Sequence, residues 1–265
     1  MTHPRRYLRL YRVFARNNVV REMEFRGNFW AKLLTSVGWV AAFAAIVKLI
    51  FANTTAVAGW TEGELFLLFG TFLLVRSLMD MLFTQSLGKI PELVRMGTMD
   101  FVLTKPVSSQ FYVSARYLSL DEAGTFLAAW LVLGYAWSLL RLPLTAAQVG
   151  AWLFLVACGL AILYAINMLL MTLAFWLVRI DNLSALTDTI VFVARYPPDI
   201  FPRYLAFAVT YLLPLAFVAA IPTGALKEGV HAATLCIATG MAALFLFVTS
   251  LFWRYATRSY TSASS

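Results

Sequence analysis

Arg76 and Asp80 stand four residues apart inside an apolar run, a spacing that puts both on one face of a helix. A charge at membrane depth costs ~2.5–3.5 kcal/mol on insertion scales, so such a pair marks either a structural ion pair or a contact with a transported species. Asp121 and Glu122 open the next apolar run on the same side and offer a second anchor, which would tie the two runs together. None of this is a catalyst. The only histidines, His3 and His231, fall in a tail and a loop, so neither a metal cluster nor a Ser–His pair can be built from them. No Gly-rich phosphate loop ending in Gly-Lys-Ser/Thr occurs. Cys158 and Cys236 each lie within an apolar run and read as small buried side chains, with no disulfide framework.

A second constellation lies in the polar connection from Ser86 to Tyr117. Pro91 suits the first turn of a short helix and Gly97 its end. A helix over Pro91–Met96 is too short to hold alone and persists only by packing on something. Phe101, Val102 and Leu103 then present apolar side chains just before Lys105-Pro106. Two roles remain open on physical grounds: a docking surface for a soluble partner, or a helix resting on the membrane.

These groups sit in a chain that cannot be water-soluble. Of 265 residues, 61% are hydrophobic and 13% charged, half the roughly 25% charged fraction that a wetted surface needs. Runs of about 20 apolar residues, enough to cross the hydrocarbon core, recur along the chain and leave room for one membrane domain over 1–265. The spans read as Ala31–Phe51, Leu65–Phe83, Ala123–Leu140, Ala146–Leu177 and Ala232–Trp253, with a harder region between Arg179 and Gly229. The first run begins too late and is too long for a cleaved secretory signal. Counting Lys and Arg near span ends gives fourteen on the side of both termini and of segment 84–116, against two, Arg141 and Lys227, on the other. The basic side is the cytoplasmic one, so the span number is even, and six fits. Residues 1–30 form a cytoplasmic amphipathic helix: Arg5, Arg9, Arg12 and Arg16 make one stripe, and Tyr7, Leu10, Tyr11 and Phe14 another, which suits the headgroup layer of a lipid bilayer. Nucleic acid would leave that aromatic face nothing to bury against. Lys48 at the outer end of the first span reads as snorkelling, and Trp60, Trp152 and Trp253 as interface anchors.

Two routes satisfy the sidedness of the fifth region. Either Arg179–Arg203 is cytoplasmic and Tyr204–Ile221 crosses, or Leu183–Tyr196 crosses and Tyr204–Ile221 dips back as a re-entrant hairpin broken near Pro214. The second carries Asp188 and Arg195 into the membrane.

The run Ile90-Pro91-Glu92-Leu93-Val94-Arg95-x-Gly97-x-x-Asp100-Phe101-x-Leu103-x-Lys105-Pro106 resembles the cytoplasmic loop of ABC-2 type permeases, the membrane subunits of bacterial ABC exporters. Tyr196-Pro197-Pro198-Asp199-Ile200-Phe201-Pro202 and Leu213-Pro214-Leu215-Ala216-Phe217 are similar to the same branch. The resemblance implies the all-α ABC-2 (type V exporter) fold: six transmembrane helices, an N-terminal interfacial helix and a re-entrant outer hairpin over 197–229. It implies that loop 84–116 carries a coupling helix seated on a separate ABC ATPase subunit, with Ile90, Pro91, Glu92, Leu93, Val94, Arg95, Gly97, Asp100 and Lys105 as coupling residues. It also implies a second permease subunit, identical or homologous, residence in the bacterial inner membrane, and no cofactor on this chain, since ATP and magnesium belong to the partner. The rival from another class is a secondary transporter or channel. That would want an inverted repeat or a polar midplane site, and the spans are mostly apolar without a visible repeat.

Overall fold

The computed structural model describes residues 4–23, 26–141, 143–177 and 183–260; Arg179 and the side chains of Arg5 and Lys32 lie outside what is described. The helices in chain order are α1 (Pro4–Met23), α2 (Arg26–Phe51), α3 (Glu62–Met79), α4 (Gln85–Leu87), α5 (Ile90–Arg95), α6 (Asp100–Leu103), α7 (Ser109–Ala115), α8 (Ala123–Leu140), α9 (Ala146–Thr172), α10 (Leu183–Phe192), α11 (Arg203–Phe207), α12 (Ala220–Lys227) and α13 (Ala232–Ser259). Among the described residues, five stretches are long and apolar enough to cross a membrane: Leu33–Phe51, Glu62–Arg95, Leu120–Leu140, Ala146–Phe175 and Ala232–Ser259. They correspond to the five clear apolar runs of the sequence. Polar residues start two of them. The backbone N–H of Thr61 donates to Glu64 at 2.8 Å. Before α9, the Thr145 N–H donates to Gln148 and the Gln148 N–H to the Thr145 hydroxyl, a reciprocal cap for otherwise unpaired donors.

α3 packs along α8, and α9 along α13. Small residues permit the close approaches. A Cβ on Gly70 would lie 2.9 Å from Leu133 of α8, and one on Gly63 would lie 2.8 Å from Leu140. In lipid no hydrophobic drive separates helix from tail, so such backbone proximity supplies the packing energy. α3 runs on through a wider, π-type turn, Asp80–Thr84, into α4.

Two ends of the bundle can be told apart. At one, α1, the loop helices and the foot of α13 gather: the Tyr7 ring meets Phe111 edge-on at 4.8 Å, Asn18 donates to the Arg116 carbonyl at 3.0 Å, and the Trp253 indole donates to the Ser109 hydroxyl at 3.0 Å. The aromatic stripe of α1 therefore has its partner on α7 within the chain, while Arg6, Arg9, Arg12 and Arg16 remain exposed. At the other end, the Trp60 indole donates to Asp199 at 2.9 Å, Lys227 pairs with Glu64 at 2.9 Å, and Lys48 pairs with Glu62 at 2.7 Å. Lys48 thus has a carboxylate partner as well as a long stem.

The three tryptophans read as interface anchors are buried in the protein: Trp60 and Trp253 as above, and Trp152 with its indole donating to Thr71 at 3.3 Å. Each ring has a hydrogen-bond acceptor on a neighbouring element, which explains its burial. Cys158 is buried as expected, but Cys236 is exposed on α13.

The hard region resolves into α10, continued by a tight turn Val193–Arg195, then the Pro198–Ile200 turn, α11 with a π-type turn Ala208–Leu212, a break at Leu213-Pro214, and α12. Pro198 and Asp199 before this hairpin line the same depression as Lys227, Glu228 and His231 after it, together with Trp60. The hairpin therefore leaves and regains one end of the bundle. Its turn, Leu215–Ala219, is buried against the middle of α9, where Gly159 faces the Phe217 carbonyl so closely that an added Cβ would lie 2.4 Å away.

Candidate coupling surface and membrane-depth charge cluster

The loop helix α5 is six residues long and survives because one side of it is interior. Ile90 and Val94 are buried against the end of α9 and the turn that follows it. Pro91 stands in the first turn, where a missing N–H costs nothing. Gly97 closes the helix at φ +68°, a left-handed conformation that favours glycine. Its N–H donates to the Val94 carbonyl at 3.2 Å, and the Met99 N–H reaches back to Leu93 at 3.1 Å. Met99 and Val102 are buried, so the segment after the helix is held as firmly as the helix.

What remains outside is a compact mixed surface. Glu92 and Arg95 are exposed on α5, with Lys89 bonded to Glu92 at 3.0 Å. Beside them Met96 is 63% exposed and Phe101 73%. Lys105 is exposed and its ammonium lies 5.3 Å from the centre of the Tyr112 ring. Leu93 is half-buried, and Asp100 is half-buried on α6. Of the three apolar residues expected to face outward, only Phe101 does: Val102 is interior and Leu103 partly so, because the short helix α6 turns that side onto α7. Tyr260, past the end of α13, has its phenol pushed above the usual range by burial and then by the Asp100 carboxylate, so the chain's last described residue lies within electrostatic reach of this loop.

The second site lies deeper. Arg76 Nε is 2.6 Å from Asp80 Oδ2, and the same guanidinium places Nη2 2.7 Å from Asp188 Oδ1 on α10. Thr84, at the far side of the π-type turn, donates to the other Asp80 oxygen at 2.7 Å. Beyond Asp80 on its own helix, Arg76 is tied to α10. Asp188, which the sequence offers only as a burden on a span, is the second carboxylate.

These charges line a cavity of about 460 Å³ between α2, α3, α8 and α10, with Trp39, Phe43, Phe69, Phe72 and Phe192 as its aromatic wall and Arg195 at its rim.

The family described as ABC-2 family transporter protein matches residues 37–264, most of the chain. The chain belongs to that family. It is a membrane permease component of an ABC transporter, and its part is transport, not catalysis. No curated protein and no solved structure is significantly similar to it.

Three participants in this permease's polar sites escape a reading of the sequence. Thr84 could have been found from its i,i+4 spacing to Asp80. Asp188 could not be assigned until α10 was set beside α3. Asn18, bonding the Arg116 carbonyl, joins α1 to the loop across 98 residues, and no local signal announces it.

Proposed function

We propose that this permease couples to a separate ABC ATPase through the surface around α5 and exports its cargo as a pair of permease subunits. The observation that carries the reading is the outward face of the loop. Met96 and Phe101 are largely exposed on a segment whose other large apolar residues are buried or half-buried, with Glu92, Arg95 and Lys105 exposed on the same segment. An apolar pair ringed by charge is the composition of a protein-binding hot spot with a polar rim. The basic end, with its exposed arginines on α1, is the cytoplasmic side, where the ATPase lies. Ile90, Pro91, Val94 and Gly97 hold the helix on the bundle, and Glu92, Leu93, Arg95, Asp100 and Lys105 form or border the contact. ATP and its magnesium are held by the partner. The charged cavity supports the second subunit: Arg76, Asp80, Asp188 and Arg195 lie where α2 has little cover from its own chain, and charges facing lipid there are costly. A second permease across that face turns it into the wall of a pathway. Rocking of the two subunits, driven by closure of the ATPases, opens it to alternate sides.

Affinity purification from native membranes is expected to bring down an ATP-binding subunit. Phe101→Asp should weaken that association at least about tenfold, as loss of an aromatic anchor does. Its unfolding temperature should stay unchanged, since the side chain is mostly exposed. Glu92→Ala or Arg95→Ala should leave insertion intact while ATP hydrolysis no longer drives transport. A chain that transports in proteoliposomes without any ATPase overturns this reading.

In the same reading Leu183–Tyr196 is a short fifth span and the 203–227 hairpin is re-entrant from outside. With Cys158 and Cys236 replaced by alanine, Asp199→Cys is expected to react with an impermeant thiol reagent added externally. Labelling from the cytosolic side alone would put the hairpin inside the cell.

A further inference from the structure

Arg195 is the one charge on the cavity wall for which the described residues supply no carboxylate. Its neighbours in charge are matched to one another: Arg76 is shared by Asp80 and Asp188. The Arg195 guanidinium instead lies 3.3 Å from the centre of the Phe192 ring and 4.6 Å from that of Tyr196, and donates to the Tyr196 hydroxyl. Its Nε is buried and without a hydrogen-bond partner among the described residues. A buried N–H on a cation left unpaired is among the costlier defects a fold can carry. Seven residues separate Arg195 from Asp188, so on a helix the two lie about 10 Å apart along one face, too far for Asp188 to reach it. The cavity wall also carries Trp39, Phe43, Phe69 and Phe72, with Phe43 and Phe69 stacked at 3.5 Å.

From this juxtaposition we propose that the cavity is a binding site for an anionic amphiphile, whose carboxylate or phosphate bonds Arg195 while its apolar body lies on the aromatic wall. The planar fork of an arginine fits both oxyanions, and it is the cation best suited to a partly dry site. The Asp80–Arg76–Asp188 group carries one net negative charge at the far end, so the head is held at the Arg195 end and the tail points away from it. The inference deepens the permease reading and rests on it for the ligand being cargo; the binding itself requires only this chain.

The probe is dansyl-labelled undecanoate, titrated against the full-length permease in phosphatidylcholine nanodiscs and compared with the matching primary amine and the uncharged alcohol. Expected is saturable binding of the carboxylate at least about tenfold tighter than of the amine, the difference one charge-assisted hydrogen bond makes. Arg195→Gln should bring the carboxylate down to the alcohol's affinity, Arg195→Lys should keep the preference for carboxylate over amine at reduced affinity because it lacks the planar fork, and Arg203→Gln, on the exposed α11, should change nothing. Nanodiscs doped with phosphatidylglycerol identify the source: displacement of the probe assigns the site to an acidic bilayer lipid, and its absence to a free amphiphile. Equal binding of amine and carboxylate, or an unaltered affinity in Arg195→Gln, overturns the proposal. The charge preference of the unmodified chain decides the matter even if Arg195→Gln fails to fold. These outcomes do not depend on an ATPase, so failure here and failure of the coupling reading are separate results.

Discussion

Gly159→Ala is expected to disorder the hairpin and destabilise the whole bundle, although a single methyl group is added. The new Cβ would lie 2.4 Å from the Phe217 carbonyl oxygen and 3.1 Å from Val218 Cα, all backbone that no rotamer change can clear. Either α9 or the Leu215–Ala219 turn must retreat. Overpacking of this kind costs about 1–3 kcal/mol, and the burial of Leu215, Phe217 and Val218 around the same point places the cost at the upper end. Elsewhere the same substitution has the opposite sign. Gly240 in α13 has nothing within 4 Å, so Gly240→Ala should be neutral or gain up to about 1 kcal/mol from helix propensity. Thermal unfolding of the two variants in detergent checks the contrast. Equal behaviour would mean that the hairpin does not seat on α9.

Arg76→Gln should be the most damaging change among the charged residues. It removes the partner of Asp80, whose other oxygen retains only the Thr84 hydroxyl, and of Asp188 at once. Breaking a buried pair by deleting one member costs about 3–5 kcal/mol. Asp188 is 58% exposed, which puts the expected loss near the low end, about 3 kcal/mol. Asp188→Asn leaves the Arg76–Asp80 pair intact and should cost less than half as much. Arg76→Gln with Asp80→Asn should recover part of the loss, because no unpaired charge then remains on α3. Denaturant unfolding of these three variants, of Asp80→Asn alone and of the unmodified chain measures the coupling, and strictly additive losses would show that the cluster does not act as a unit.

The elements differ in how far the amino-acid sequence reveals them. Each of α2, α3, α8, α9 and α13 carries its own signal, because crossing lipid demands about 20 apolar residues whatever surrounds them. The stripes of α1 are equally plain from the spacing of Arg5, Arg9, Arg12 and Arg16 against Tyr7 and Phe14. That Tyr7 and Phe14 meet Phe111 and Tyr112 is not, since a periodic face specifies that it will be covered and not by what. Phe101, Val102 and Leu103 look alike in sequence, and only the turn of α6 onto α7 separates exposed Phe101 from buried Val102 and half-buried Leu103. Trp60, Trp152 and Trp253 fall at span ends, where the interface and a buried acceptor compete for an indole N–H, and the acceptors on Asp199, Thr71 and Ser109 prevailed.

The charges show the division most clearly. From sequence alone, Arg76 and Asp80 are committed to one face of α3, because the helical repeat leaves them nowhere else to go. The chain is likewise committed to a membrane, to a basic end and to an exposed loop, all of which follow from composition and local period. Asp188 and Arg195 sit on a helix too short and polar to declare itself, and their roles come only from what α3 and α2 bring against it. Asp188 becomes a structural partner through Arg76, and Arg195 a candidate anion site for want of one. Tertiary structure decided both, because the cost of a charge in lipid is set by its nearest opposite charge: for Asp188 that neighbour lies more than a hundred residues away along the chain, and for Arg195 the described residues supply none.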